Sequence, residues 1–277
     1  MNKKLTVIVP CYNEADNIPA VFPEIVKKCE ERDWQLVIVD DGSRDNSAQL
    51  LSDFASERVK VVRHKLNRGY GAAIKTGILT AVSDYIVTID ADGQHNLDDV
   101  EHLLDRAIEA NADMVVGGRP TDSYNHSGWY RNFGKFMIRS LIRMIMSVPV
   151  RDQNSGMKLY RRDLALENLP ICPDNMAYSD IILLLFVDSR HLVLEEPIRI
   201  NRRRSGVSTI STRTAFDTVS EIFYLVVMFH PMKIFIPLAL FFFVTGGAWV
   251  IRGLFFGLQL SNGASFLLMT GINCVLL

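Results

Sequence analysis

The sequence predicts an α/β protein with a mostly parallel sheet flanked by helices, followed by C-terminal helices suited to a membrane. Continuous apolar, β-branched runs recur along the first half of the chain, and stretches with helical spacing separate them. This alternation is typical of a parallel sheet covered on both faces. Charged residues are frequent up to about residue 213 and nearly disappear after residue 233, which sets the C-terminal part apart.

The elements of the first part follow one another in a regular order. The predicted strands span residues 5–9, 35–39, 59–63, 85–89 and 114–116, and the helices between them span residues 16–31, 45–57, 71–82 and 97–110. A long apolar helix at 129–147, a strand at 158–160, a helix at 179–188 and a strand at 192–200 complete this part. Acidic residues cluster at strand ends, where open α/β sheets bind ligands.

The C-terminal part reads as membrane-associated. Residues 214–229 have apolar side chains on one helical face, which fits a core helix and a helix in the membrane interface about equally well. Residues 234–251 carry no charge and are long enough to cross a bilayer, and a second apolar run at 264–277 predicts a truncated second span. The predicted domains are therefore residues 1–211, an interfacial helix at 212–231, and a transmembrane region at 232–277.

Charge and leader signals narrow the class of protein. The net charge of -1 gives no reason to expect a nucleic-acid partner. The apolar stretch before Pro10 is too short for a signal peptide, and the basic residues at 202–204, 213 and 233 place the first domain on the cytoplasmic side of the cell (inner) membrane. The four scattered cysteines predict free thiols in a reducing compartment.

The most informative segment is DADGQH, which follows the predicted strand at 85–89. It places Asp90, Asp92 and Gln94 on a loop at the end of a buried strand. Two carboxylates and an amide oxygen suit a hard divalent cation, Mg²⁺ or Mn²⁺, that keeps positions open for diphosphate oxygens. A solvated acidic turn is the alternative, but the other strand-end acids favour the cation. The histidines at 64 and 191 are expected to lie on the surface. His95 follows the acidic motif and could touch the diphosphate, with an exposed loop position as the default expectation.

Two further strand ends carry candidate nucleoside-binding residues. Tyr12 could stack on a base and Glu14 could accept hydrogen bonds from its edge, while the same segment also serves as a helix start. Asp41, after the second strand, is placed to bind a ribose or a base.

The motifs PCYNE, VDDGS and DADGQH, in this order, resemble the inverting family 2 glycosyltransferases of GT-A fold. The segments NRGYGAAIKTGI, VVGGR, DQNSGMKLYRR and RRRSGVS extend the resemblance to the dolichol-phosphate mannose synthase type and its bacterial polyprenyl-phosphate sugar transferase relatives. It covers about residues 5–255. The implied partners are a nucleotide-sugar donor, a polyprenyl phosphate acceptor and the membrane, and homo-oligomerisation stays open.

The resemblance also implies residue roles. It assigns catalysis to Asp90, Asp92, Arg119 and Arg131, and metal binding to Asp90, Asp92 and Gln94. Arg119 and Arg131 would lie near the acceptor phosphate, and Lys135 suits phosphate binding as well. Asp152 is a candidate second-sphere or sugar-binding acid, with loop capping at least as plausible. The donor would be held by Pro10, Tyr12, Glu14, Val39, Asp41, Asp90, Ala91, Asp92, Gln94 and Arg203.

Other functions fit the sequence less well. A processive polysaccharide synthase would carry a QxxRW motif, and none of the three tryptophans follows an arginine. A family 2 enzyme acting on another saccharide acceptor would not explain the membrane tail. A non-catalytic sugar-nucleotide-binding membrane protein would be expected to lack Asp90, Asp92 and Gln94. A dinucleotide-dependent oxidoreductase would need GxGxxG after the first strand, where Pro10–Glu14 stands instead.

Overall fold

The computed structural model describes residues 5–120, 148–153, 155–201, 220, 227, 229, 231–256 and 262–276. The chain divides into two compact units, residues 1–221 and residues 222–277. The predicted helix at 129–147, most of the predicted interfacial helix and the predicted boundary at residue 211 lie outside the described residues. They stay predictions.

The first unit is built on a seven-stranded sheet. Its strand order is β3-β2-β1-β4-β6-β5-β7. Every neighbouring pair is parallel except those made by β6, which runs antiparallel to both β4 and β5. The strands are β1 (Leu5–Cys11), β2 (Gln35–Asp40), β3 (Val59–Arg63), β4 (Tyr85–Thr88), β5 (Met114–Gly118), β6 (Lys158–Arg161) and β7 (Val193–Pro197). The predicted mostly parallel sheet is confirmed.

This topology places the ends of the parallel strands and the start of β6 at one edge of the sheet. The six parallel strands all end at the same edge, and the antiparallel strand β6 begins there, with Lys158 opposite Thr88 of β4 and Val116 of β5. The loops after β1, β2, β4 and β5 and the loop before β6 therefore meet at this edge. Open α/β sheets bind ligands at such a position.

Helices cover the sheet, and their bounds differ from the prediction in places. The second helix is shorter than predicted, and the third ends at Thr80 because Ala81 turns extended toward β4. A short helix, α5, was not predicted. The helices of this unit are α1 (Ile18–Glu31), α2 (Ser47–Ser52), α3 (Tyr70–Thr80), α4 (Leu97–Ala110), α5 (Arg162–Asn168) and α6 (Tyr178–Asp188).

The core explains why these elements assemble. The residues of β2 are buried throughout, which requires cover on both faces of the sheet. On one face, Phe22 and Ile25 of α1 and Leu103 of α4 join the strands in one hydrophobic cluster. Gly77 of α3 lies so close to Ile8 of β1 that a Cβ there would overlap the Ile8 side chain, so α3 packs directly on the sheet.

The second unit is a pair of apolar helices, α7 (Pro231–Phe255) and α8 (Asn262–Leu276). Small residues allow close approach: a Cβ on Gly246 would lie 3.1 Å from Leu268, and one on Gly271 would lie 3.2 Å from Phe243. By length and composition, α7 is the one helix among the described residues able to cross a membrane, with mean hydropathy 2.2 and 11% of its apolar window buried. It extends the predicted span at both ends.

Candidate active site

The DADGQH segment forms a tight turn directly after β4. Gly93 has a positive φ of 75°, and Oδ1 of Asp92 accepts a hydrogen bond from the backbone N–H of Gln94 at 3.0 Å. Asp92 is 7% exposed. The turn therefore fixes the direction of a nearly buried carboxylate, at the strand end where the sequence places it.

The carboxylate of Asp90 lies between two groups. The hydroxyl of Tyr70 donates to its Oδ1 at 3.4 Å. On the other side, a Cβ built on Gly156 would lie 2.5 Å from its Oδ2, so the backbone of Gly156 lies against the carboxylate. A cavity of about 270 Å³ borders Asp90 and Gly93, so small ligand atoms can reach this carboxylate from outside.

His95 is buried rather than exposed as predicted, with a side-chain exposure of 6%. Its Nδ1 accepts a hydrogen bond from the backbone N–H of Asp90 at 3.1 Å. The neutral ring therefore carries its proton on Nε2, which lies 4.0 Å from Asp90 Oδ2. The prediction of an exposed loop histidine was wrong because the ring folds back and accepts a hydrogen bond from the backbone of Asp90, at the start of the same turn.

The loops after β1 and β2 are joined to each other by hydrogen bonds. The backbone N–H of Asn13 donates to Ser43 Oγ and that of Glu14 donates to Ser47 Oγ, both at 2.9 Å. Asn13, in a left-handed conformation with φ 55°, returns a bond by accepting from the N–H of residue 44. This framework leaves Tyr12 at the surface, 39% exposed, where a planar ligand can stack on its ring.

Asp41 is buried and holds the start of the next loop. Its Oδ1 accepts from the N–H of Arg68 at 2.9 Å, and its Oδ2 accepts from the N–H of Gly69 at 2.8 Å. His64 Nδ1 donates to the same carboxylate at 2.6 Å, and Nε2 lies 2.9 Å from Thr76 Oγ1. The predicted exposure of His64 was wrong: the ring links Asp41 to α3.

A fourth carboxylate, that of Asp152, orients an arginine just after the end of β5. Arg119 donates through Nε and Nη2 to the two oxygens of Asp152, at 2.6 and 2.9 Å, which is a bidentate ion pair. Asp152 is 1% exposed, and its backbone N–H donates to Glu195 at 3.1 Å. The Arg119 side chain keeps 31% of its surface exposed, so a guanidinium faces solvent at a fixed position.

Lys158 is a buried cation beside these groups. It is 1% exposed, and its ammonium donates to the carbonyls of Gln153 and Ser155 at 2.8 and 2.7 Å and to the hydroxyl of Ser179. Burial lowers the pKa of Lys158 to about 8, against the opposing effect of the nearby Asp180 and Asp152 carboxylates. Burial and the neighbouring Asp90 likewise raise the pKa of Tyr70 well above its ordinary value.

Sequence reasoning missed Tyr70, His64 and Lys158 as parts of this region. Tyr70 and Lys158 lie in segments that carry the family resemblance, but their spacing gives no sign of which side chain turns inward. His64 follows an edge strand, where exposure is the usual outcome. The predicted residues Arg131, Lys135 and Arg203 lie outside the described residues.

The donor chemistry of the site suits a hard divalent cation. Asp90 borders the cavity with its carboxylate, and the carboxylate of Asp92 and the amide of Gln94 follow in the same turn. Within the described ranges there is no group of three or more His, Cys, Asp or Glu side chains that could hold a metal. A cation bound here would therefore take further oxygens from its ligand, as Mg²⁺ commonly does with diphosphates.

Comparison with known proteins identifies the class and then the family. The fold is similar to that of glucosyl-3-phosphoglycerate synthase from Mycobacterium tuberculosis, solved in complex with Mn²⁺, UDP-glucose and phosphoglyceric acid. The TM-score is 0.62 at 16% identity, over 81% of this chain and 80% of that chain. The architecture is the GT-A fold. The family model for glycosyl transferase family 2 matches residues 6–169. The chain belongs to glycosyl transferase family 2 and is a glycosyltransferase.

Two curated relatives are similar at higher sequence identity. Polyprenol monophosphomannose synthase from Mycolicibacterium smegmatis is 30% identical over 233 residues, which is 79% of this chain and 86% of that protein. Undecaprenyl-phosphate 4-deoxy-4-formamido-L-arabinose transferase from Proteus mirabilis is 31% identical over 184 residues. This second match covers 65% of this chain but only 55% of the relative's length.

Proposed function

We propose that this glycosyltransferase moves a hexose from a nucleoside diphosphate sugar, of the UDP-glucose or GDP-mannose type, to undecaprenyl or dolichyl phosphate. The observation that carries the proposal is the meeting of Asp90 and Asp92 with the ion-paired Arg119 at one edge of the sheet. The names of the two curated relatives support a polyprenyl phosphate as acceptor.

The donor and the acceptor are both anions, and their mutual repulsion is the problem that the site has to solve. Asp90, Asp92 and Gln94 would hold Mg²⁺ or Mn²⁺, which when bound neutralises the diphosphate as a Lewis acid. Pro10, Tyr12, Glu14, Val39 and Asp41 would hold the nucleoside, with Tyr12 exposed for stacking and Asp41 ordering the adjacent loop.

The reaction proposed is a single displacement at the anomeric carbon. A phosphate oxygen of the lipid forms the new bond to that carbon while the bond to the donor diphosphate breaks, and the configuration inverts. The acceptor is already ionised, so no general base is required. Arg119 would hold its phosphate through charge-assisted hydrogen bonds, and Asp152 keeps that guanidinium in place. Arg131 and Arg203 complete the basic set in the proposal.

The membrane part of the proposal follows from the apolar helix α7. Its length and composition allow a span, and its side chains are little buried. We infer that the chain is anchored in the cell inner membrane with residues 1–211 on the cytoplasmic side, where nucleotide sugars and the lipid phosphate can meet.

Replacing Asp92 by alanine tests the proposal. Transfer of radiolabelled sugar to undecaprenyl phosphate, measured in membranes with a panel of UDP- and GDP-sugars, should be lost in Asp92→Ala and in wild type treated with EDTA. The control is Asp105→Ala, an exposed carboxylate on α4, which should keep full transfer. Full activity of Asp92→Ala, or transfer to a water-soluble acceptor with none to polyprenyl phosphate, would contradict the proposal.

A further inference from the structure

Lys158 stands out among the charged residues that the structure describes. It is the first residue of β6, the strand that lies between β4 and β5. At 1% exposure it is the most deeply buried lysine or arginine in the described ranges. A buried ammonium is costly unless its three N–H groups find acceptors. Here three acceptors surround it.

The acceptors belong to two segments that lie apart in the sequence. The carbonyls of Gln153 and Ser155 come from the loop before β6, at 2.8 and 2.7 Å, and the hydroxyl of Ser179 comes from the first turn of α6. Ser179 also donates to the Ser155 carbonyl at 3.0 Å. The ammonium therefore links the backbone of Gln153 and Ser155 to helix α6.

The same loop contacts the carboxylate of Asp90. Its last residue, Gly156, accepts a hydrogen bond from Thr88 Oγ1 at 2.8 Å. The space where a Cβ of Gly156 would stand is 2.5 Å from Asp90 Oδ2 and 3.0 Å from Asp90 Cγ. With Tyr70 on the opposite oxygen, the Asp90 carboxylate can take few orientations as long as the loop keeps its place.

We propose that Lys158 is a positioning residue of the metal and diphosphate site: its ammonium holds the backbone of Gln153 and Ser155 so that the neighbouring Gly156 fixes the carboxylate of Asp90. This inference rests on the proposed function, because Asp90 matters as a ligand only there. Residues that orient metal ligands without touching the metal typically change metal affinity or activity 10- to 100-fold when they are replaced, so roughly a tenfold effect is expected here.

Replacing Lys158 by methionine, an apolar side chain of similar length, removes the hydrogen bonds of the ammonium and keeps most of the side-chain volume. In Lys158→Met the two carbonyls and the Ser179 hydroxyl lose their shared donor, and the loop can shift away from Asp90. Ser179→Ala removes only one of the three acceptors and should act in the same direction by a smaller factor. Lys60→Met is the matched control, since Lys60 is exposed on the edge strand β3.

The experiment measures Mn²⁺ binding to the full chain in detergent, from the paramagnetic resonance signal of free Mn²⁺, with UDP or GDP present. We expect the Mn²⁺ dissociation constant to rise roughly tenfold or more in Lys158→Met, to rise less in Ser179→Ala and to stay unchanged in Lys60→Met. Excess Mn²⁺ should restore transfer by Lys158→Met, which a loss of folding would not allow. Thermal unfolding is followed in parallel.

A folded Lys158→Met variant with wild-type Mn²⁺ affinity overturns the inference. If that variant does not fold, Ser179→Ala decides: unchanged Mn²⁺ affinity overturns the inference, and weakened affinity supports it. Asp92→Ala in the same experiment distinguishes failure of the proposed metal site from failure of the role of Lys158. Normal Mn²⁺ binding by Asp92→Ala refutes the proposed metal site itself, whereas loss in Asp92→Ala with normal binding in Lys158→Met refutes only the role of Lys158.

Discussion

At the scale of single residues, side chains at the sheet edge hold one another in fixed orientations. Asp41 is held by His64, Asp90 by Tyr70 and Gly156, and Arg119 by Asp152. The Asp90 and Arg119 side chains stay partly exposed while their neighbours set their direction, whereas Asp41 is buried and orders the start of the next loop. A ligand that binds here meets groups that need little rearrangement, which lowers the entropic cost of binding.

Replacing His64 by phenylalanine should weaken nucleotide binding. The phenylalanine ring is similar in size but cannot donate to Asp41 or contact the Thr76 hydroxyl. The buried Asp41 carboxylate therefore loses one hydrogen bond and keeps the two from backbone N–H groups. Losing a hydrogen bond to a charged group costs about 1.5–3 kcal/mol. We expect a lower unfolding temperature and weaker binding of UDP or GDP, measured by calorimetry.

The matched control for His64 is His191→Phe. His191 is partly exposed and packs on Phe186 instead of entering this network. It should leave nucleotide affinity unchanged. Wild-type nucleotide affinity in His64→Phe would show that the Asp41 carboxylate needs no help from the histidine.

At the scale of elements, the strands and the long helices were predicted well and the short helices poorly. The strands of the first half and the helices α1 and α4 lie where the apolar pattern places them, because burial on a fixed face leaves a strong periodic signal. The helix α5 was missed because seven residues make fewer than two turns. The direction of β6 could not be predicted either, since a buried strand has the same pattern in both directions.

The candidate site was predictable only in part, for a related reason. The residues that belong to a recognisable motif, such as Asp90, Asp92 and Asp41, lie after strand ends on the same edge of the sheet. The groups that orient them come from elements that are distant in the sequence: Gly156 lies against Asp90 only because β6 inserts beside β4. Local patterns carry no information on such tertiary neighbours.

Helix α3 offers a prediction at this scale. Gly71, in its first turn, lies against the backbone of the segment 173–175, where a Cβ would stand 2.9 Å from the Asn175 carbonyl oxygen. Backbone atoms cannot move aside as a flexible side chain can, so Gly71→Ala should destabilise the chain by about 1–3 kcal/mol. The measurement is the midpoint of denaturant unfolding.

Gly247→Ala is the corresponding control in α7. A Cβ there meets nothing within 4 Å, and alanine is the better helix former. We expect an unchanged or slightly higher midpoint. Equal midpoints for Gly71→Ala and wild type would mean that the 173–175 segment yields easily, contrary to the contact described.

At the scale of the whole molecule, the chain joins a glycosyltransferase unit to an apolar helix pair. Helix α7 has 25 residues and so extends about 37 Å, which exceeds a hydrocarbon core of about 30 Å. Its phenylalanines at 241 and 255 are exposed by 61% and 85% in the structure. Lipid chains around the helix would keep these apolar rings out of water. The composition of this unit was readable from the sequence because apolar runs of such length are rare elsewhere.

Removing residues 231–277 should convert stable membrane attachment into a reversible one. The full chain is expected to stay with vesicles through an alkaline carbonate wash, because extracting α7 would expose its apolar surface to water. The shortened chain should be released by carbonate, as measured by flotation and immunoblotting. Release of the full chain under the same wash would argue against a spanning helix.

The position of β6 also has a consequence for how the protein is made. As the nascent chain leaves the ribosome, β1 to β4 can pair as soon as they emerge, whereas β5 has only β6 and β7 as neighbours. Until residues beyond 158 have been synthesised, β5 is without a partner and one side of β4 is open. We therefore expect chaperones that shield unpaired strands to engage translation intermediates from about residue 118 until β6 emerges, and to leave once β6 closes the gap.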